Sequence, residues 1–361
     1  MVLVNLTRVY YINLPPSRKI LLDPKTYLTH NMPMKSHGFY PTEIIFSPTN
    51  ACNLHCEHCF VGRNPHKLEI NDAISLIENC VKYGGQPDSD GNPLPVLERV
   101  GFSGGEPFLY IDFLLQITKA CLEHDLLFDQ IMTNGDWWKD ESELYEKLQT
   151  LYNAGYDGKI GLSWDSYHGQ KTHRMQTFIT KVQEIFGPTS INIQTVSDKN
   201  TVGEVSPSLQ PEDGLPLPPQ TGGTAPRNAP QYPKDIPVYR LNRTFTSEDP
   251  RAWQAKHWFK DDYCEGPGQI LYVHADGNIA PCCGFANENP ALFIGTIHDS
   301  LETIMQKAAT NPMIKICYQE GLARYRKKEL KKNLRAKKQK LPGKCKDICS
   351  FCDFVCKEII L

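Results

Sequence analysis

From residue 43 to residue 197, short apolar runs alternate with longer segments whose apolar positions recur every three or four residues. The runs EIIFS, LERVGFS, FDQIMTNG, KIGLSWD and INIQTVS have strand length, and helices are predicted between them over 71–82, 112–124, 140–154 and 173–186. Such alternation builds parallel βα units, whose ligand-binding loops follow the strand C-termini. Residues 1–42 read as an irregular or strand-rich lead-in, with two β-type runs, MVLVNLTRVYYINL and KILL, broken by Pro15-Pro16, Pro24 and Pro33. Residues 203–237 hold nine prolines and four glycines, too many for a regular helix or strand core, and read as a linker or long surface excursion. Residues 238–361 contain a hairpin-like stretch, ILYVHADGNIAPCC, with Asp276-Gly277 at its turn, and two helical patterns. The expected organisation is therefore a lead-in (1–42), a βα array (43–202), a linker (203–237) and a small second domain (238–361).

Composition narrows the class. The 361 residues are 40% hydrophobic and 22% charged, which excludes wholesale disorder. The longest apolar stretches, such as IDFLLQIT at 111–118, fall short of the ~18 to 20 residues that span a bilayer. The first 30 residues carry charges and prolines, so a soluble, cytoplasmic protein without a signal peptide and without a membrane partner is expected. Net charge is −2, yet Arg324 to Lys346 carries twelve Lys/Arg against the single acid Glu329, a +11 segment on a −13 body. Thirteen cysteines without an export signal point to metal binding rather than disulfides, because cytosolic reductants keep thiols reduced.

The first cysteine group is CNLHCEHC, a C-x3-C-x2-C spacing of Cys52, Cys56 and Cys59 directly after the run EIIFS. Three thiolates this close can hold one soft metal centre with a coordination position left open. A structural zinc loop completed by a fourth ligand such as His55 or His58 fits the cysteines equally well. Further on, the run LERVGFS ends in Gly104-Gly105-Glu106-Pro107, where two glycines let a ligand approach the backbone closely.

C-x3-C-x2-C and GGEP at the ends of successive strands of a βα array resemble the radical S-adenosylmethionine enzymes over roughly residues 43–200. The resemblance implies an α/β fold with a partial (β/α)6 TIM-like barrel. It also implies a site-differentiated [4Fe–4S] cluster on Cys52, Cys56 and Cys59 that chelates S-adenosylmethionine through its amino and carboxylate groups. Gly104, Gly105, Glu106 and Pro107 would contact the methionyl amino group. Thr133 and Asn134, with Ser163 and Asp165, stand where family members place groups that meet the ribose or carboxylate. His58 occupies the position of an aromatic residue against adenine. Taken singly, Thr133, Asn134, Ser163 and Asp165 are equally explained by turn and capping chemistry.

The second group opens with C-x12-G-x4-C, Cys264 to Cys282, where Gly277 lets a hairpin bring both thiolates to one metal. KCKDICSFCDFVC then sets Cys345, Cys349, Cys352 and Cys356 in C-x3-C-x2-C-x3-C. Together they resemble the SPASM and twitch auxiliary-cluster domains, which implies a small cysteine-rich α+β domain with at least one auxiliary [4Fe–4S] cluster on Cys264, Cys282, Cys349 and Cys352. Cys345 and Cys356 could replace either member of the C-x2-C pair, or build a second cluster with Cys317 or Cys283. A zinc knuckle at 345–356 is the plainer alternative. The full SPASM spacing is not met, which favours a twitch-like single cluster. Cys283 points away from its neighbour Cys282 in strand alternation and is a candidate catalytic thiol, though packing alone would account for it. Cys80 and Cys121 fall in apolar helix patterns and read as core thiols.

The resemblance implies reductive cleavage of S-adenosylmethionine to a 5′-deoxyadenosyl radical that takes hydrogen from a substrate, with an external electron donor such as flavodoxin or ferredoxin. Tyr167 and His168, after the KIGLSWD strand, are candidates for a proton acceptor or a radical-quenching phenol, or for hydrogen-bonded support. Lead-in residues 1–42 are too few for a leader-binding domain, which tilts the expected substrate towards a small molecule; a peptide-modifying maturase of the RiPP type is the alternative. The basic run reads as a solvated helix face with Leu330 and Leu334 as its packing stripe, and aromatic residues there are few, which argues against nucleic acid. A metal-stabilised electron-transfer or nucleic-acid-binding protein would explain the cysteines but not GGEP or an open three-thiolate site.

Overall fold

The structure is a computed structural model that describes residues 38–56, 58–62, 65–197, 230, 232–259, 268–328, 330 and 340–360. Cys264, the lead-in before Gly38, most of the 203–237 stretch and Leu334 lie outside the described residues.

Six parallel strands form the body: β1 (Glu43–Phe46), β2 (Arg99–Phe102), β3 (Leu127–Thr133), β4 (Lys159–Ser163), β5 (Ile191–Ser197) and β6 (Val238–Asn242). Helices α1 (Ile70–Tyr83), α2 (Ile111–Glu123), α3 (Glu141–Asn153) and α4 (Thr172–Phe186) connect the first five. Each helix buries one stripe: Ala73, Leu76, Ile77 and Cys80 in α1, and Met175, Phe178, Ile179 and Val182 in α4, follow the 3.6-residue period. The Asp140 carboxylate caps α3 by accepting from Glu143 N at 2.9 Å. The βα array expected from the pattern is thus present, and the helices match the predicted spans to within a residue or two.

Two features depart from the expected domain layout. Val238–Asn242, which the pattern assigns to the second domain, is the sixth parallel strand, paired with β5 from Ile193↔Val238 to Ser197↔Asn242. The DG hairpin, β7 (Gly268–Val273) and β8 (Asn278–Cys282), does not start a separate sheet. Strand β7 runs parallel to β1, with Phe46 opposite Val273, so that with β9 (Gly295–Thr296) one nine-stranded sheet runs β6-β5-β4-β3-β2-β1-β7-β8-β9. Gly277, at φ +87°, makes the hairpin turn.

The remaining helices pack beyond the hairpin: α5 (Leu301–Thr310), the single turn α6 (Pro312–Ile314) running into a π-helical turn (Lys315–Glu320), α7 (Leu322–Lys328) and α8 (Ile348–Val355) ending in a second π turn (Cys356–Ile360). Asn79 of α1 accepts from Leu301 N at 2.7 Å, joining α5 to the barrel helices. Leu330 is fully buried, as a packing position in the basic segment should be. Among the described residues no helix is long and apolar enough to cross a membrane.

Candidate active site

The segment after β1 carries the three cysteines, and its backbone is fixed before it reaches them. Thr49 Oγ1 donates to His66 O at 3.0 Å and accepts from Ala51 N at 3.0 Å. Leu54 N then points at Cys52 Sγ at 3.4 Å, and Cys59 N bonds Cys56 O at 3.2 Å. Cys59 is exposed, while Cys52 and Cys56 are half-buried.

The Gly-Gly loop after β2 lies against this segment. Gly105 N donates to Thr49 O at 2.9 Å and Glu106 N to Ala51 O at 2.8 Å. Side chains are excluded at both glycines: a Cβ on Gly104 would collide with Ser47, and one on Gly105 with the carbonyl of Ala51. Gly104 also adopts φ +110°, a region that L side chains avoid. The two motifs picked out in the sequence are therefore one packed unit. Pro107 opens a 3-10 turn (Pro107–Tyr110) capped by Glu106.

Glu106 is fully buried and collects the next loop. Its Oε1 accepts from Thr133 Oγ1 at 2.8 Å and Phe108 N at 3.1 Å, and its Oε2 accepts from Asn134 N at 2.8 Å. Burial pushes Glu106 up to about 7, against the pull of these three donors. Asn134, just past β3, turns its amide towards Cys52 Sγ at 3.6 Å and Asn53 Oδ1 at 2.9 Å.

The β4 loop closes the ring. Asp165 Oδ1 accepts from Tyr167 N at 2.8 Å and from His168 Nδ1 at 2.8 Å, while its Oδ2 accepts from Val196 N at 3.2 Å. Burial alone would raise Asp165, but His168 and the Tyr167 amide hold it below its ordinary value. Burial alone would lower His168; Asp165 and Cys56 as partners lift it to about 9. The His58 ring packs edge-on to Tyr167 and His168, at centroid distances of 5.3 and 4.9 Å, and the ligand atoms of His58, Asp165 and His168 lie within 4.8 Å of one another.

Every candidate of the barrel half lies in this assembly: Cys52, Cys56, His58 and Cys59 on the β1 segment, Gly104 to Pro107 after β2, Thr133 and Asn134 after β3, Ser163 to His168 after β4. Two tethering side chains carried no sequence signal. Asn53 donates to Asp136 O at 3.0 Å, and Gln170 bridges Asn134 O at 2.5 Å and Ser163 O at 2.8 Å. Single amides without periodic or spaced partners look like any polar loop residue. The donors fit the groups that the motif implies. Three thiols in one loop suit a soft iron centre with an open position.

Beside His58 opens a cavity of about 400 Å³, walled by Phe60, Arg240, Arg243, Phe285 and Cys349 among others. Phe60 and Phe285 stack at 4.4 Å, joining the three-cysteine segment to the region after β8. The Arg243 guanidinium lies 4.7 Å over the Tyr167 ring.

In the second region the thiols separate into two settings. Cys352 Sγ lies 3.9 Å from Cys317 Sγ, and Cys356 and Cys282 are buried like them. Cys345 instead donates to Asp347 O at 2.9 Å, and the Cys349 thiol lies against Gly284 at the cavity edge. Cys283 is exposed beside buried Cys282. Cys80 and Cys121 are core thiols, pushed up to about 12 by burial.

No protein-family model matches the chain. Among curated proteins it is 20% identical over 327 residues to the "Putative peptide biosynthesis protein YydG" of Bacillus subtilis, covering 87% of this chain and 91% of that one. It is 25% identical over 162 residues to the "S-adenosylmethionine-dependent nucleotide dehydratase RSAD2" of Oncorhynchus mykiss, 42% of each chain. Among solved structures, Streptococcus suis SuiB bound to S-adenosylmethionine aligns with TM-score 0.40 at 14% identity, covering 86% of this chain and 77% of that one. SuiB bound to precursor peptide SuiA aligns with TM-score 0.41 at 14% identity, covering 86% and 76%. The three-cysteine segment, the Gly-Gly-Glu-Pro loop and the Asn134 loop interlock at the ends of parallel strands, the arrangement that the resemblance to radical S-adenosylmethionine enzymes implies, and the chain is similar to these curated relatives.

Proposed function

We propose that the chain modifies a peptide, using the site around Cys52, Cys56 and Cys59 and a second metal centre in the SPASM- or twitch-like region that follows β6. The peptide reading, the alternative to a small molecule in the sequence, is favoured by the relative whose name records peptide biosynthesis and which aligns over 91% of its own length. When bound, the site cluster and S-adenosylmethionine supply a 5′-deoxyadenosyl radical that removes hydrogen from the substrate. The protein's own residues position and shield. Glu106 holds the β2 and β3 loops together, the Gly104-Gly105 backbone offers the close approach that the methionyl end needs, and Asp165, through Tyr167 N and Val196 N, fixes the loop that carries His58's ring neighbours. His58 and Ser163 line the nucleoside end. The substrate enters the cavity beside His58, and Tyr167 and His168, which pack on His58, and the exposed Cys283, next to the lining residue Gly284, are the candidates to meet it. An external flavodoxin or ferredoxin supplies electrons, and a reducing cytoplasm suits the thiols.

The observation that carries this reading is the interlock of the cysteine segment with Gly104–Glu106. The test is iron, sulfide and zinc content, EPR with and without S-adenosylmethionine, and 5′-deoxyadenosine release, on anaerobically purified wild type and a Cys52/Cys56/Cys59→Ala variant. About eight irons in the wild type and about four in the variant are expected, with a signal that shifts on adding S-adenosylmethionine only in the wild type. Zinc with little iron and no 5′-deoxyadenosine would overturn the reading.

A further inference from the structure

The run Cys349, Cys352, Cys356 lies on α8 and the π turn that continues it, so its members fall at i, i+3 and i+7 on one stripe. At 1.5 Å per residue the ends of that stripe are roughly 10 Å apart, so Cys349 and Cys356 meet different surroundings. Cys352 and Cys356, four residues apart, lie one helical turn from each other, and Cys349 sits at the other end, against Gly284 on the cavity wall. A further thiol faces the Cys352 end from outside the C-terminal run: Cys317, at 3.9 Å from Cys352 Sγ.

The surroundings of Cys317 hold it there. It is buried in the π turn Lys315–Glu320, whose neighbouring Tyr318 hydroxyl donates to Pro281 O at 3.0 Å, on β8 next to Cys282. Asn311 caps the preceding turn through Met313 N and Ile314 N. Cys356 opens the other π turn found among the described residues. π-helical turns are rare and concentrate at functional sites, and here each of the two carries one of the converging thiols. Cys282, Cys317, Cys352 and Cys356 are all buried.

We propose that Cys317 is a ligand of the second metal centre, shared with Cys282, Cys352 and Cys356, and that Cys349 is left to the substrate cavity. The proposal rests on the reading of the second region given above. Four thiolates fill every position of a [4Fe–4S] cluster, so this centre passes electrons and does not bind the substrate itself. Cys349 thereby becomes a thiol on the wall that the substrate meets.

The test compares Cys317→Ala, Cys349→Ala and Cys264→Ala in the full chain, purified anaerobically, by iron, sulfide and zinc content and by EPR with and without S-adenosylmethionine. Cys317→Ala should fall from about eight irons to about four while keeping the signal that shifts with S-adenosylmethionine, which certifies that the barrel is folded. Cys349→Ala and Cys264→Ala should keep the wild-type iron. If Cys317→Ala keeps all its iron, or if Cys349→Ala or Cys264→Ala loses four irons in its place, the ligand set is wrong. A wild type with one zinc that Cys317→Ala loses would support the ligand set but overturn the iron–sulfur reading. A wild type without metal in this region overturns both.

Discussion

Glu106 accepts from Phe108 N, Thr133 Oγ1 and Asn134 N, three donors from two loops, in a setting with no water contact. A carboxylate matches that demand because both of its oxygens are acceptors. Glutamine has the same shape but turns one acceptor into a donor, which would then face Asn134 N or the Thr133–Phe108 pair. Glu106→Gln should therefore cost about 1–3 kcal/mol of stability, the range for a buried donor left unmet. It should also weaken S-adenosylmethionine binding, because Asn134 and the Gly104-Gly105 backbone lose their common anchor. Thermal unfolding and ligand titration by EPR read the two effects separately; a variant that melts and binds like the wild type would mean that Glu106 is not the tie described.

Strands set the electrostatics at the opposite end of the array. Glu43 opens β1 and Asp129 lies in β3, and between them on β2 stands Gly101, where an added Cβ would lie 3.5 Å from both side chains. Burial pushes Glu43 up to about 7, Asp129 raises it further, and Arg99 opposes. A carboxyl raised in the fold above its ordinary 4.5 favours folding while protonated; that contribution is complete below 4.5 and is lost as pH climbs through 7. The thermal midpoint should thus drop between pH 5 and pH 7, and Glu43→Gln, neutral throughout, should flatten the drop and melt higher at pH 8. Equal slopes for the two proteins would remove Glu43 as the cause. Helices α1 to α4 were legible because each buries a stripe at i, i+3, i+4 and i+7, as Ala73, Leu76, Ile77 and Cys80 do. Strand β6 was not. VYRLN is short, exposes Tyr239 and Leu241, and is separated from β5 by a long Pro/Gly-rich stretch, so nothing local reveals its parallel partner. In the site, the cysteines and glycines were legible because metal ligation and close backbone approach restrict the residue type at fixed spacing. Asn53 and Gln170 act through contacts distant in sequence, Asn53 with a partner 83 residues away.

At the scale of the whole molecule, the composition break at 203–237 does not divide the fold. β6 and β7, both beyond the break, pair with β5 and β1, so the later part of the chain supplies neighbours to two strands of the earlier part. Gly38–Leu361 form one compact unit accordingly. A chain cut between Pro237 and Val238 would leave β1 and β5 with unpaired edges and bared apolar surface in the first piece. In the second piece, β7 would keep only its antiparallel partner β8, and an isolated small sheet has too little buried area to be stable by itself. Neither fragment should give a cooperative melt or resist protease when expressed alone, whereas the two expressed together should recover folded protein if their strands find each other. Circular dichroism and limited proteolysis of 1–237, of 238–361 and of the co-expressed pair distinguish these states. A 238–361 fragment that folds cooperatively with its metal would instead make the second region a true domain and its pairing with β1 dispensable.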